Sequence, residues 1–395
     1  MQNNKAPESL ASPLRDDKER LQSQVIDWLR FPLAITVVFI HSFGSASLDL
    51  SALHADPWAG NSLFNGVRIC LSHVLTHIAV PTFFVISGFL FFRKWQQWDT
   101  QLYLKKMKSR FRTLFIPYVC WNAIAILGII ASMTGAYFLK GKPLSRIPLY
   151  FQEKGILSLF WDVNVWAEDR TNLLGMLTPM TGPIDLPLWF LRDLIVVTVL
   201  TPFVYGFVKH TRHYGILLLA LAYISGVWPN LSGFNITAVF FFSTGAYFSI
   251  HGKNLVMECQ RVRMASYIAA IAFLLPSIWL DGRNTPVGYI LYPFYIISGA
   301  CAAFNLAADL LRKGKTKVHP LLAQSTFFIY ALHTIVVLAA CNFLVQHLLS
   351  GEHPLIQTIA YLLTPLLCVS ACLGIFLFLK RFMPKILGIL TGNRY

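Results

Sequence analysis

The stretch Ile26–Gly44, IDWLRFPLAITVVFIHSFG, decides how the rest of this chain is read. Wound as an α-helix, it extends about 28 Å, close to the roughly 30 Å hydrocarbon core of a bilayer. Asp27, Arg30 and His41 are its only ionisable residues. The residues before it are polar and of mixed charge, with Lys18, Glu19 and Arg20 side by side, and they lack an apolar core ending in a small-residue cleavage site. This start reads as an amino-terminal tail at 1–25 followed by a true membrane span rather than as a signal peptide.

The composition carries the same message along the whole chain. Of 395 residues, 55% are hydrophobic and 13% charged. A water-facing domain carries about a quarter charged residues, so a soluble enzyme is excluded, and the hydrophobicity excludes a disordered chain. Further apolar runs near 69–92, 114–133, 187–207, 214–228, 234–250, 265–280, 288–309, 321–347 and 355–379 predict about ten transmembrane helices in an all-α integral membrane protein. The net charge of +15 then has a topological meaning. Both termini placed in the cytoplasm put 24 of the 33 Lys and Arg residues in cytoplasmic segments, seven of them between 93 and 112, and only seven outside. That asymmetry follows the positive-inside rule and points to anionic membrane lipid, not to nucleic acid. The 134–186 segment, with Trp161, Asp162, Trp166, Glu168 and Asp169, lies outside, and its length and aromatic content predict an ordered lid or interfacial helix.

Ionisable residues at membrane depth are costly and become site candidates. Arg30 and His41 are eleven positions apart, which places them on one helical face about 16 Å apart along the axis. Arg30 reads either as a snorkelling anchor or, with His41, as a polar path from cytosol to midplane; His41 alone reads as an interhelical hydrogen bond. His73 and His77 share a face, but with no third ligand nearby they read as cavity lining rather than a metal site. Arg192 and Asp193 either neutralise one another or leave Asp193 to orient a histidine. The basic segment 93–118, RKWQQWDTQLYLKKMKSRFRTLFIPY, is either the topology signal alone or an anion site. The seven cysteines form no CxxC pair and read as small buried hydrophobes. No GxxxxGK[ST], HExxH or GxSxG occurs, which argues against an NTP-driven pump, a zincin or a serine hydrolase.

Read together, DWLRFPLAITVVFIHS with its Arg30–His41 spacing, PTFFVISGFLFF at Pro81–Phe92, KSRFRTLFIPYVCW, LWFLRDL at 188–194 and IYALH at 329–333 resemble the acyltransferase type 3 family of bacterial membrane proteins. The likeness runs from about 24 to 380. It implies a transmembrane acyltransferase domain at 26–380, a cytoplasmic tail at 381–395 and residence in the bacterial inner membrane. It also implies an enzyme of the cell envelope that transfers an acyl group, acetyl first, from acetyl-CoA or another acyl-CoA to a hydroxyl of a glycan or lipid-linked saccharide. In that frame His41, assisted by Asp193, is general base or acyl acceptor; Arg30, Arg110 and Arg112 hold the CoA phosphates; Trp189 and His333 meet the acceptor; and no metal is required. The alternative is an exporter of a polysaccharide or lipid-linked precursor that performs no acyl transfer.

The charge asymmetry makes a direct prediction. Single cysteines introduced at 93–112 are shielded from a membrane-impermeant thiol reagent in intact cells, and those at 134–186 are labelled. Labelling of the 93–112 segment from outside reverses the orientation.

Overall fold

The computed structural model describes residues 11–42, 62–93, 95, 97–141, 143–166, 171–281, 286–351 and 353–394. Glu168 and Asp169 of the 134–186 segment lie outside the described residues. The helices in chain order are α1 (Ala11–Ile40), α2 (Ser62–Arg68), α3 (Ala79–Phe92), α4 (Thr100–Arg110), α5 (Ile116–Lys140), α6 (Arg146–Lys154), α7 (Ile156–Leu159), α8 (Trp189–Val199) and α9 (Thr201–Ser225). They continue as α10 (Ile236–Ile250), α11 (Leu255–Arg261), α12 (Arg263–Asp281), α13 (Pro286–Arg312), α14 (Pro320–Leu332), α15 (Leu338–Leu348), α16 (Pro354–Phe382) and α17 (Pro384–Thr391). Among the described residues, seven helices are long and apolar enough to cross a membrane, or eight if a bent pair is one span; α10 is apolar but shorter. Their outer faces expose residues such as Leu217, Leu221, Ile268, Leu275, Phe343 and Phe378, an apolar belt that suits lipid and not water.

Several expected spans are not straight helices, and each departure has a local cause. The predicted 187–207 span bends by 69° between Leu186–Val199 and Thr201–Ser225. Pro202 supplies no backbone N–H to continue the first helix and suits the first turn of the second. A second break falls inside α9, where Arg212 adopts φ 53° and ψ −133°, at the turn expected before 214–228. The 69–92 span opens with a π-helical turn at Ile69–Val74 and a 3-10 turn at Leu75–Ile78 before α3 begins. Further π-turns join α4 to α5 at Phe111–Phe115 and α14 to α15 at His333–Val337. The 134–186 segment is ordered where described. It carries α6, α7 and an antiparallel hairpin of β1 (Asn164–Trp166) and β2 (Met180–Gly182), so the otherwise helical fold includes one small sheet.

At the centre stands α3, with Phe84, Phe91 and Phe92 almost wholly buried. Its packing against α10 depends on two glycines. A Cβ on Gly88 would come within 2.0 Å of the Phe242 carbonyl oxygen, and one on Gly245 within 1.9 Å of the Val85 carbonyl oxygen. The two backbones are therefore in contact, as small residues allow between membrane helices. Around this crossing the rings interlock: Phe84 meets Phe190 of α8 at 4.7 Å between centroids, and Phe190 meets Tyr330 of α14 at 5.9 Å. The phenylalanine-rich SGF stretch thus supplies both the bulk of the core and the gap that lets a neighbour in.

Gly88→Ala or Gly245→Ala must part the two backbones, at a cost of about 1–3 kcal/mol or more. The expected result is a clearly lowered melting temperature in detergent. Gly135→Ala, with nothing within 4 Å of the new methyl, leaves it nearly unchanged. Equal melting behaviour for all three variants contradicts the close crossing.

Candidate active site

His41 ends the first span. Its amide still bonds back to the Val37 carbonyl, and the chain leaves the helix there. The position is fixed from below by Ser72, whose hydroxyl contacts the carbonyl oxygens of Phe39 (2.5 Å) and Ser42 (3.1 Å) and the Tyr361 hydroxyl (2.7 Å). One side chain from the 69–74 π-turn thereby ties α1 to α16.

The π-turn at 333–337 brings His333 against His41, with ring centroids 5.3 Å apart and planes at 51°. His333 is wholly buried. Its Nδ1 lies 2.8 Å from the Tyr330 carbonyl and 3.2 Å from that of Ile329, so this nitrogen carries the proton. Nε2 is thereby the unprotonated nitrogen, buried and without a hydrogen-bond partner among the described residues. The sequence singled out both histidines but gave them separate tasks; only the folded chain puts them side by side.

His41, His73 and His77 line a cavity of about 500 Å³, a size suited to a small substrate. Trp166 of β1, Trp189 of α8, Tyr223 and Tyr292 form its aromatic walls, with Trp166 and Trp189 6.3 Å apart and His77 and Tyr292 6.0 Å apart. His333 stands behind His41 and does not line it, whereas Trp189 does. Toward the amino-terminal end of α1 the lining stops at Val37, beyond which Leu33 and Ala34 are packed in the core. No three His, Cys, Asp or Glu side chains gather as a metal group among the described residues.

Asp193 is elsewhere. It is fully buried and accepts a 2.9 Å hydrogen bond from Arg192 Nε. No hydrogen bond joins it to His41 or His333 among the described residues. Arg192 turns its remaining donors on the 134–186 segment, reaching the Trp161 carbonyl (2.5 Å), the Thr181 hydroxyl (3.3 Å) and the Thr181 carbonyl (2.9 Å). The pair ties the hairpin to α8 and so holds the cavity's roof.

At the opposite end of the molecule lies a cationic cluster. Arg30 pairs with Asp27 at 3.1 Å. Lys106 donates to the Phe91 carbonyl and lies over the rings of Phe91 and Trp95, and Arg110 lies over Phe91. Arg112, on the exposed side of the next turn, stands apart from these contacts. Arg394, which the sequence offered only as part of a basic tail, returns through α17 to donate to the Thr113 carbonyl and cover the Phe327 ring. Burial, then the charges of Arg110 and Arg30, push its guanidinium down to about 9. A group of like charges held together in this way is stabilised by a bound anion.

The acyltransferase domain family matches residues 24–380. The succinoglycan biosynthesis protein ExoH of Rhizobium meliloti (strain 1021) is 25% identical over 378 residues, covering 93% of this chain and 92% of its own. No solved structure matches.

If this cluster holds the phosphates of an acyl-CoA, a role that the resemblance gives to Arg30, Arg110 and Arg112, then Arg110→Gln combined with Arg394→Gln weakens acetyl-CoA binding tens-fold or more, at about 1.5–3 kcal/mol for each charge-assisted contact. Arg112→Gln weakens it less. Isothermal titration of the detergent-solubilised protein measures this, and unchanged affinity in the folded double variant removes the cluster from the donor site.

Proposed function

The chain belongs to the acyltransferase domain family, and on that premise we propose that it is a membrane-bound O-acyltransferase. It moves an acyl group, acetyl in the simplest case, from acyl-CoA to a hydroxyl of a glycan or lipid-linked saccharide. The name of the Rhizobium relative, a succinoglycan biosynthesis protein, supports a polysaccharide or its precursor as acceptor. The proposal includes ten crossings of a bacterial cytoplasmic membrane, both termini cytoplasmic and the 134–186 segment outside. That arrangement gives the cationic cluster to cytosolic CoA and the aromatic cavity to an acceptor arriving from the other face.

The observation that carries the reading is the His41–His333 pair at the end of an aromatic-walled cavity. In the direct course, His41 takes the proton of the acceptor hydroxyl as that oxygen attacks the thioester carbonyl. The carbon–sulfur bond breaks, CoA leaves as thiolate, and the imidazolium proton neutralises it. In the two-step course, a His41 nitrogen attacks the thioester carbonyl, the carbon–sulfur bond breaks and the CoA thiolate takes the proton from the other ring nitrogen; the acceptor oxygen then attacks the acyl carbon, the carbon–nitrogen bond breaks and the hydroxyl proton passes to the released imidazole. In both, His333 acts through His41, offering an unprotonated Nε2 to the proton that must move while its Nδ1–H is tied to backbone carbonyls. The roles fit the residues' positions: His41 lines the cavity and His333 backs it.

An exporter is the second reading, and the broken helices around the cavity are what favour it. Release of free CoA in step with acceptor modification by purified protein supports the transferase; movement of unmodified glycan without CoA release supports the exporter.

His41→Ala removes turnover by about 10²–10⁴-fold if His41 is the general base, and more if it is the nucleophile, while acetyl-CoA binding persists at the distant cationic cluster. Radiolabelled acetyl-CoA without acceptor separates the two courses: label retained on the protein and lost in His41→Ala marks the acyl-histidine. Near-normal turnover by folded His41→Ala overturns the assignment.

A further inference from the structure

A second hollow, of about 100 Å³, lies beside the catalytic cavity at the 134–186 segment. Met180, Trp189, Tyr223, Tyr289 and Pro293 line both, so the two form one groove with a deep end at His41 and an outer end among loops. The chemistry changes along it. The outer end offers neutral hydrogen-bonding groups from Asn172, Thr181, Asn230 and Ser232 beside the flat faces of Tyr223 and Trp228. Among the described residues Arg192 is the only charged one in the lining, and its guanidinium is already engaged by Asp193, Trp161 and Thr181.

The outer walls are held in place without any ligand. Thr181 donates to the Ser232 hydroxyl at 3.0 Å, Trp161 Nε1 to the Ser232 carbonyl at 3.2 Å, and Trp228 Nε1 to the Phe234 carbonyl at 2.9 Å. Asn172 is 8% exposed. Its Oδ1 accepts from the backbone N–H groups of Leu174 (2.9 Å) and Met176 (3.0 Å), which fixes the orientation of the amide. The other end of that amide, Nδ2, is buried without a hydrogen-bond partner among the described residues. A buried donor left unpaired is unfavourable. Asn172 also lines the hollow, so a molecule bound there is placed to supply the acceptor that none of the described residues gives.

We propose that the outer hollow is a second sugar subsite, so that the acceptor is a chain of at least two linked, uncharged sugars. The reacting hydroxyl lies at His41, and the adjoining sugar sits in the outer hollow, its ring face against Tyr223 or Trp228 and a hydroxyl or ring oxygen accepting from Asn172 Nδ2. Neutral amides, hydroxyls and aromatic faces together match a sugar's alternation of polar edge and apolar face. The proposal rests on the acyl-transfer reading for what happens at the deep end, but the subsite itself is a statement about saccharide binding.

The test uses the full-length protein in detergent, acetyl-CoA, and neutral hexose oligosaccharides of one, two and four sugars. Turnover is followed by CoA thiol release and product mass, and binding without acetyl-CoA by tryptophan fluorescence. KM and Kd drop at least tenfold from one sugar to two and little from two to four, the scale of one or two added hydrogen bonds. Asn172→Asp keeps the oxygen that Leu174 and Met176 need and replaces the free donor with an acceptor; it raises KM for the two-sugar acceptor roughly tenfold and leaves the one-sugar KM unchanged. Asn230→Ala, which disturbs no buried contact, acts in the same direction. Length-independent KM and Kd, or equal loss for short and long acceptors, overturn the subsite and leave the transferase standing. Length-dependent binding with no acyl transfer to any acceptor supports the subsite and overturns the transferase.

Discussion

The contact of two backbones, α3 against α10, governs the placement of everything that forms the site. Inside a bilayer the hydrophobic effect gives helices no reason to associate, so close packing must supply it. Gly88 and Gly245 allow the approach, and the carbonyls of Phe242 and Val85 fill the space where side chains would stand. From this crossing α3 carries Val80 and Pro81 to the cavity wall and α10 carries Thr237 to its rim. Phe84 then seats Phe190, which sets the rotation of α8 and with it the direction of Trp189 and Arg192.

Arg192 and Asp193 use buried charge as a fastening. Removing two charges from water is costly, and their mutual attraction alone rarely restores the difference. Here the guanidinium is also satisfied by two carbonyls and a hydroxyl from the 134–186 segment, so the pair has a structural return that a neutral substitute lacks. The cation–π contact with Trp161 adds to the same attachment. The hairpin over the cavity is thus anchored through its backbone, which leaves its side chains, Trp166 among them, available to line the groove.

The sequence made the membrane class and the apolar runs legible because each depends on composition within one segment; the depth of His41 followed from helical spacing, whereas the cavity at His41 does not continue along α1 to Arg30. The bend at Leu200 was within reach, since Pro202 marks it, but a run of apolar residues hides a corner when only length is counted. The meeting of His41 with His333 was not legible: it joins residues from the two ends of the chain and requires a π-turn whose presence no periodicity announces. Asp193 shows the converse. Its depth was readable, and its partner was its own neighbour, Arg192, an option that the adjacency itself offered. Arg394 escaped because a basic residue near a terminus reads as a topology mark until α17 is seen to turn back.

Among the described residues, three spans contain π-turns, at Ile69–Val74, Phe111–Phe115 and His333–Val337. Each such turn accommodates one residue more than an α-helix would over the same stretch. Beyond it, the face that a helix presents is offset by about 100° from the pattern set before it. A relative that lacked the turn would align with this chain only by opening a one-residue gap in the middle of a membrane helix, a place where alignments ordinarily forbid gaps. Forcing an ungapped match through 333–337 would put every later residue of α15 one position out of register, and the low overall identity to a distant relative would then understate how much of the helix packing the two share.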